Sequence, residues 1–112
     1  MLDLDGEAFV VDLEGRYWAY FRAWRVPPSE GRPHGLRYSL TLHGPEGSRL
    51  VGFDNAHPVS STAGPGRRRR ARHDHRHRYG ETRPYVYRDA ATLVRDFWAE
   101  VETVLHERGV VF

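Results

Sequence analysis

The sequence predicts an α+β fold: an antiparallel β-sheet of about five strands packed by one long C-terminal amphipathic helix. Three observations carry that reading. Residues 36–43 alternate apolar and polar without a break. Residues 93–105 repeat apolar side chains at helical spacing. The remaining β-prone segments are separated by Gly- and Pro-rich turns rather than by further helices.

Each element follows from local chemistry. Phe9, Val10, Val11 and Leu13 form a first strand over 9–13, and Glu14-Gly15 a tight turn. Residues 16–26 hold Tyr17, Trp18, Tyr20, Phe21 and Trp24, an aromatic-rich second strand. Its apolar residues fall at both parities, so both faces are expected to be partly covered. Pro27-Pro28 ends it and 27–35 is a loop. In the third strand, Leu36, Tyr38, Leu40 and Leu42 face one side, and Arg37, Ser39, Thr41 and His43 the other. Gly44-Pro45-Glu46-Gly47 turns the chain into a returning strand over 48–55. Residues 58–66, rich in Pro, Gly, Ser and Thr, open a basic flexible loop over 58–72. Residues 73–78 suit a short strand. Residues 83–87 suit another, with Pro84 at its start or on a sheet edge. Asp89 is the expected N-cap of the helix. Leu93, Val94, Phe97, Trp98, Val101, Val104 and Leu105 form its apolar stripe, and Gly109 ends it.

A chain of 112 residues predicts a single domain over 1–112. No apolar run approaches the ~20 residues that span a bilayer, so no membrane partner is expected. The acidic start, Met1-Leu2-Asp3-Leu4-Asp5, is unlike a signal peptide, and the expected compartment is the cytoplasm. With no cysteine, disulfides, thiolate zinc sites and cysteine nucleophiles are excluded. All 17 Lys+Arg residues are arginine, which removes lysine Schiff bases and the Walker lysine. The net charge of +2 hides an asymmetry. Residues 67–78 hold seven Arg and one Asp, and the rest of the chain ten Arg and fourteen acids. A short polycationic segment on an acidic protein attracts polyanions.

The densest chemical signal is Arg72-His73-Asp74-His75-Arg76-His77-Arg78. In an extended segment, His73, His75 and His77 share one face and Asp74, Arg76 and Arg78 the other. Asp54, Asn55 and His57 lie at the end of the fourth strand, and Arg37 on the polar face of the third. Arg37, Asp54, His57, His75 and His77 are expected to converge at one end of the sheet. Three readings compete. Imidazole and carboxylate ligate metals, but the flanking arginines repel a divalent cation. Two histidines and arginine supply the base, acid and cation for metal-free RNA cleavage through the 2′-hydroxyl. An Arg/His run is also compatible with a solvated basic loop that does no chemistry. Trp18, Trp24 and Trp98 are expected to pack the core, with base stacking the rarer alternative.

The order of motifs resembles the TumE-like toxin family of bacterial toxin–antitoxin systems. It runs Arg37-Tyr38-Ser39-Leu40, then Arg49-Leu50-Val51-Gly52-Phe53-Asp54-Asn55, then Asp74-His75-Arg76-His77. Pro84-Tyr85-Val86-Tyr87 and Leu93-Val94-Arg95-Asp96-Phe97-Trp98 follow. The resemblance covers about 35–105. It implies a small cytosolic toxin encoded beside a helix-turn-helix antitoxin, with RNA cleavage as the expected activity. It points to Asp54, Asn55, Asp74, His75, Arg76 and His77. The spacer between Asn55 and Asp74 is longer here, and the resemblance does not extend to its extra arginines.

Together these give a metal-independent endoribonuclease toxin that needs no cofactor. His75 and His77 are the acid–base pair, Arg76 and Arg37 stabilise the phosphorane, and Asp54 orients a histidine. Arg67, Arg68, Arg69, Arg70, Arg72 and Arg78 bind nucleic acid. Asn55, His57, His73 and Asp74 are further candidates. The partners are the antitoxin, RNA and, as an option, a second copy of the chain. The alternatives are a non-catalytic nucleic-acid- or partner-binding module and a metal-dependent nuclease.

Overall fold

In the computed structural model, six antiparallel strands hydrogen-bond in chain order as a simple meander. They are β1 (Ala8–Val10), β2 (Trp18–Arg25), β3 (Leu36–His43), β4 (Arg49–Asp54), β5 (Asp74–Arg78) and β6 (Glu81–Tyr85). Among the described residues one α-helix, α1 (Ala90–Glu107), closes the fold. The structure describes residues 4–28, 35–55 and 74–112. Among these residues the strand count is six rather than about five, because β5 pairs with β4 over 75–78 and with β6 over 74–78.

Strand ends have local causes. β1 stops at Val10, short of the expected 9–13, because Asp12 belongs to the turn. Its carboxylate accepts from the backbone N–H of Arg16 and of Tyr17, each at 2.8 Å. Gly15, with φ of 72°, completes that turn. β6 begins earlier than expected, and Pro84 sits inside it. β6 is an outermost strand, where a missing N–H is tolerated.

β3 alternates as its sequence requires, with Leu36, Tyr38, Leu40 and Leu42 buried. They meet Phe21 of β2, Val51 and Phe53 of β4, and the stripe Leu93, Phe97, Val101, Val104 and Leu105 of α1. Phe97 is the hub, edge-on to Phe21 at 5.4 Å and to Phe53 at 6.1 Å. Asp89 caps α1 by accepting from Thr92 N–H at 2.7 Å. Gly109, at φ 68°, ends it.

All of this packing lies on one face of the sheet, which leaves an inner face under α1 and an outer face. Trp98 packs inside, against Phe97 and Phe21. Trp18 and Trp24 do not join the core. Ala19, Phe21 and Ala23 take the inner positions of β2, so strict alternation turns both tryptophans to the outer face, half-buried. Trp18 stacks there on His43 at 5.4 Å.

Candidate functional site

The outer face acquires its chemistry from register. Ser39 of β3 pairs with Asp54 of β4, which pairs with His75 of β5. One rung along, Thr41 pairs with Gly52, Gly52 with His77, and His77 with Thr82 of β6. Residues opposite each other in a sheet share a face at about 5 Å. Asp54, far from the two histidines in the chain, thus becomes their neighbour.

Asp54 is the centre. Its Oδ2 lies 2.9 Å from His77 Nε2, and its Oδ1 lies 3.9 Å from His75 Nδ1. The first is a hydrogen bond; the second is electrostatic. His77 Nδ1 meets Thr82 Oγ1 at 3.0 Å. With Nε2–H donating to the Asp54 carboxylate, Nδ1 carries the lone pair and accepts from the threonine hydroxyl. The two rings are 6.2 Å apart. Both are largely covered, at 20% exposure for His75 and 15% for His77.

Partial burial depresses the His77 pKa below the ordinary imidazole value, and the charges of Arg49 and His75 press the same way. Asp54 opposes them, by charge and by its hydrogen bond. The net result is a neutral imidazole at pH 7.

Arg49 reaches this site because of a bulge. Between Leu42/His43 and Val51/Arg49 the ladder shifts by one residue, so Leu50 is extra. Leu50 and Val51 both turn inward, and Arg49 turns outward beside His43. Its arm lies across Gly52: a Cβ there would stand 3.2 Å from Arg49 Cδ and 3.4 Å from His77 Cδ2. The absent side chain at Gly52 is the space the guanidinium arm uses.

Other expected site residues fall elsewhere. Arg37 shares the outer face but lies over Trp24, its guanidinium carbon 5.2 Å from the ring centre. Arg76 and Arg78 occupy inner positions of β5, on the opposite face from the histidines, because alternation separates them. Arg78 is bound by Glu100 of α1, with Glu107 at 3.7 Å. Asp74 is buried and accepts from the Tyr38 hydroxyl at 2.6 Å. Burial and that carboxylate push the Tyr38 hydroxyl pKa up. Asn55 is fully buried: its Oδ1 accepts from Tyr38 N–H at 3.0 Å and its Nδ2 donates to Leu36 carbonyl. Both bond to Tyr38 near the start of β3. His57, His73, Arg67, Arg68, Arg69, Arg70 and Arg72 lie outside the described residues. Arg49, Gly52 and Thr82 are members that sequence reasoning did not single out. Among the described residues, no group of three His, Asp or Glu side chains is arranged to hold a metal ion.

A family model described as Toxin TumE matches residues 7–105, from just before β1 to near the end of α1. The chain belongs to the Toxin TumE family. That match takes in β1 and β2 as well as the segment 35–105 whose motifs carry the resemblance. No curated protein and no solved structure matches the chain. Membership in a toxin family implies an antitoxin partner in general. Among the described residues, no helix of this TumE-family chain is long and apolar enough to cross a membrane.

Proposed function

We propose that this toxin acts as a metal-independent endoribonuclease, with its reaction centre at Asp54, His75, His77 and Arg49. The observation that carries the reading is the Asp54–His77 pair on the outer sheet face. A carboxylate holding one ring nitrogen of a neutral histidine leaves the other nitrogen as a proton acceptor.

In this reading the RNA 2′-hydroxyl replaces the Thr82 hydroxyl at His77 Nδ1. That nitrogen takes the proton as the 2′-oxygen bonds to phosphorus. The imidazolium formed is stabilised by Asp54. His75, in its protonated form, gives its proton to the departing 5′-oxygen as the phosphorus–oxygen bond breaks. Arg49 faces the negative charge that builds on the phosphoryl oxygens. The products are a 2′,3′-cyclic phosphate and a 5′-hydroxyl. Arg67, Arg68, Arg69, Arg70 and Arg72 add salt-sensitive affinity for phosphates. The antitoxin partner is of the helix-turn-helix type, and its co-expression restores growth.

One observation favours a rival reading, a binding module without chemistry. Both ring nitrogens of His77 already have partners, as in a structural hydrogen-bond chain. Single-turnover assays on one RNA and its all-deoxy counterpart, with and without chelator, separate the two. Cleavage that persists in chelator, spares the deoxy strand and leaves a cyclic phosphate supports the nuclease. RNA that is bound but stays intact supports the module. Cleavage lost in chelator replaces both with a metal-dependent enzyme.

A further inference from the structure

A second cluster on the outer face is not used by the reaction centre. Trp24, at the far end of β2, stands half-buried opposite Arg37 of β3. The guanidinium carbons of Arg22 and Arg37 lie 5.3 and 5.2 Å from its ring centre. The two arginines differ in one respect. Arg22 is neutralised by Asp5 at 2.9 Å, whereas no carboxylate among the described residues pairs with Arg37. Arg37 Nε is covered and has no hydrogen-bond partner among those residues. A guanidinium held by an aromatic ring, with no carboxylate partner among the described residues, is poised for an anion.

The surroundings define which anion. Asp54 is the one carboxylate among the described outer-face strand residues, and it is already engaged by His77. The sheet geometry puts Trp24 roughly 12 Å from Asp54, two strands across and one rung along. An aromatic ring layered with guanidinium groups, one of them without a carboxylate partner among the described residues, offers a stacking platform for an unpaired base and a cation for its phosphate, a short distance from the proposed reaction centre. A duplex keeps its bases stacked inside and cannot use the ring. Trp18 lacks the arginine neighbour among the described residues, and its ring is stacked on His43 instead.

We infer that Trp24 and Arg37 form a nucleotide subsite that selects single-stranded RNA, with a base stacked on the layered Trp24–arginine platform and its phosphate on Arg37. This rests on the nuclease reading and names its substrate class.

The test is equilibrium binding of a labelled 2′-O-methyl RNA oligonucleotide, which cannot be cleaved, as a single strand and as a duplex. Unmodified RNA is cleaved in parallel. Wild type should prefer the single strand. Trp24→Leu and Arg37→Gln should each weaken single-strand binding about 10- to 100-fold and leave duplex binding alone. Trp24→Phe, which keeps an aromatic face, should stay within roughly threefold of wild type. Single-strand binding by Trp24→Leu equal to wild type overturns the inference, as does a duplex bound as tightly as the single strand. If RNA is cleaved with the same KM by Trp24→Leu and wild type, this subsite fails and the nuclease reading stands. If Trp24 governs binding but no RNA is cleaved, the nuclease reading fails and the subsite stands. If Trp24→Leu loses neutralisation by the antitoxin yet binds RNA normally, the face belongs to the protein partner and the inference is wrong.

Discussion

β5 presents two chemistries on its two faces. Outward, His75 and His77 surround Asp54, with Arg49 above and Thr82 beside them. Inward, Asp74 accepts from buried Tyr38, and Arg78 meets Glu100 and Glu107 of α1. The two aspartates make the contrast sharpest. Asp74 receives a hydroxyl that has no reason to ionise and is a structural pin. Asp54 receives an imidazole, a ring that can accept and release a proton, whose pKa burial lowers below the ordinary value. A run of alternating His and Arg is thus not one basic patch. Strand geometry sorts it into a histidine row around Asp54 and an inner row whose Arg78 meets the helix.

The largest effect expected on the outer face is in the chemical step. His77→Ala should lower single-turnover cleavage about 10²- to 10⁴-fold and abolish growth arrest. Its urea midpoint should move by no more than about 1 kcal/mol in stability. A His77→Ala protein that cleaves normally breaks the division between the faces. The largest inner-face effect is on folding. Phe97→Ala should cost about 3–5 kcal/mol in equilibrium unfolding, because its ring touches both Phe21 and Phe53 and is fully buried.

Removing one oxygen tests the inner aspartate. Tyr38→Phe leaves the Asp74 carboxylate without its donor and should cost about 1–3 kcal/mol. The cleavage rate at saturating RNA should be unchanged well below the melting transition. A matching loss of rate would place Asp74 in the chemistry.

Titration tests the outer histidine. A lowered pKa means neutral His77 persists as pH falls, until protonation removes the base. The acidic limb of the cleavage profile should therefore lie below pH 6.5. Arg49→Gln removes a cation that disfavours imidazolium and should move that limb upward. A limb unaffected by Arg49→Gln would mean the guanidinium does not act on His77.

The smallest effect is assigned to Arg78. Its ion pairs are partly exposed, so Arg78→Ala should cost under about 1 kcal/mol, and less at high salt. Salt-dependent RNA affinity should not change. A weakened affinity would return Arg78 to the nucleic-acid contacts.

The sequence by itself determined the fold class, the third strand and the helix. Each of these rests on a periodicity that burial enforces locally. The alternation from Leu36 to His43 and the stripe from Leu93 to Leu105 needed no knowledge of partners. The same alternation put His75 and His77 on one face and Arg76 and Arg78 on the other, and Asp54 was expected beside the histidines, but the sequence did not reveal what the arginine face would meet. Only the tertiary structure decided that. The bulge at Leu50, invisible as a motif, turned Arg49 toward His77 across Gly52. The pairing of β5 with β6 brought Thr82 to the imidazole. Asn55 and Asp74 became buried pins because both bond to Tyr38 of β3, Asn55 to its backbone and Asp74 to its hydroxyl. Trp18 and Trp24, aromatic enough to suggest the core, were sent outward because Ala19, Phe21 and Ala23 already fill the space under the helix. Register and packing are non-local. They depend on which strands pair and which face the helix covers, and no short stretch of this chain encodes either one alone.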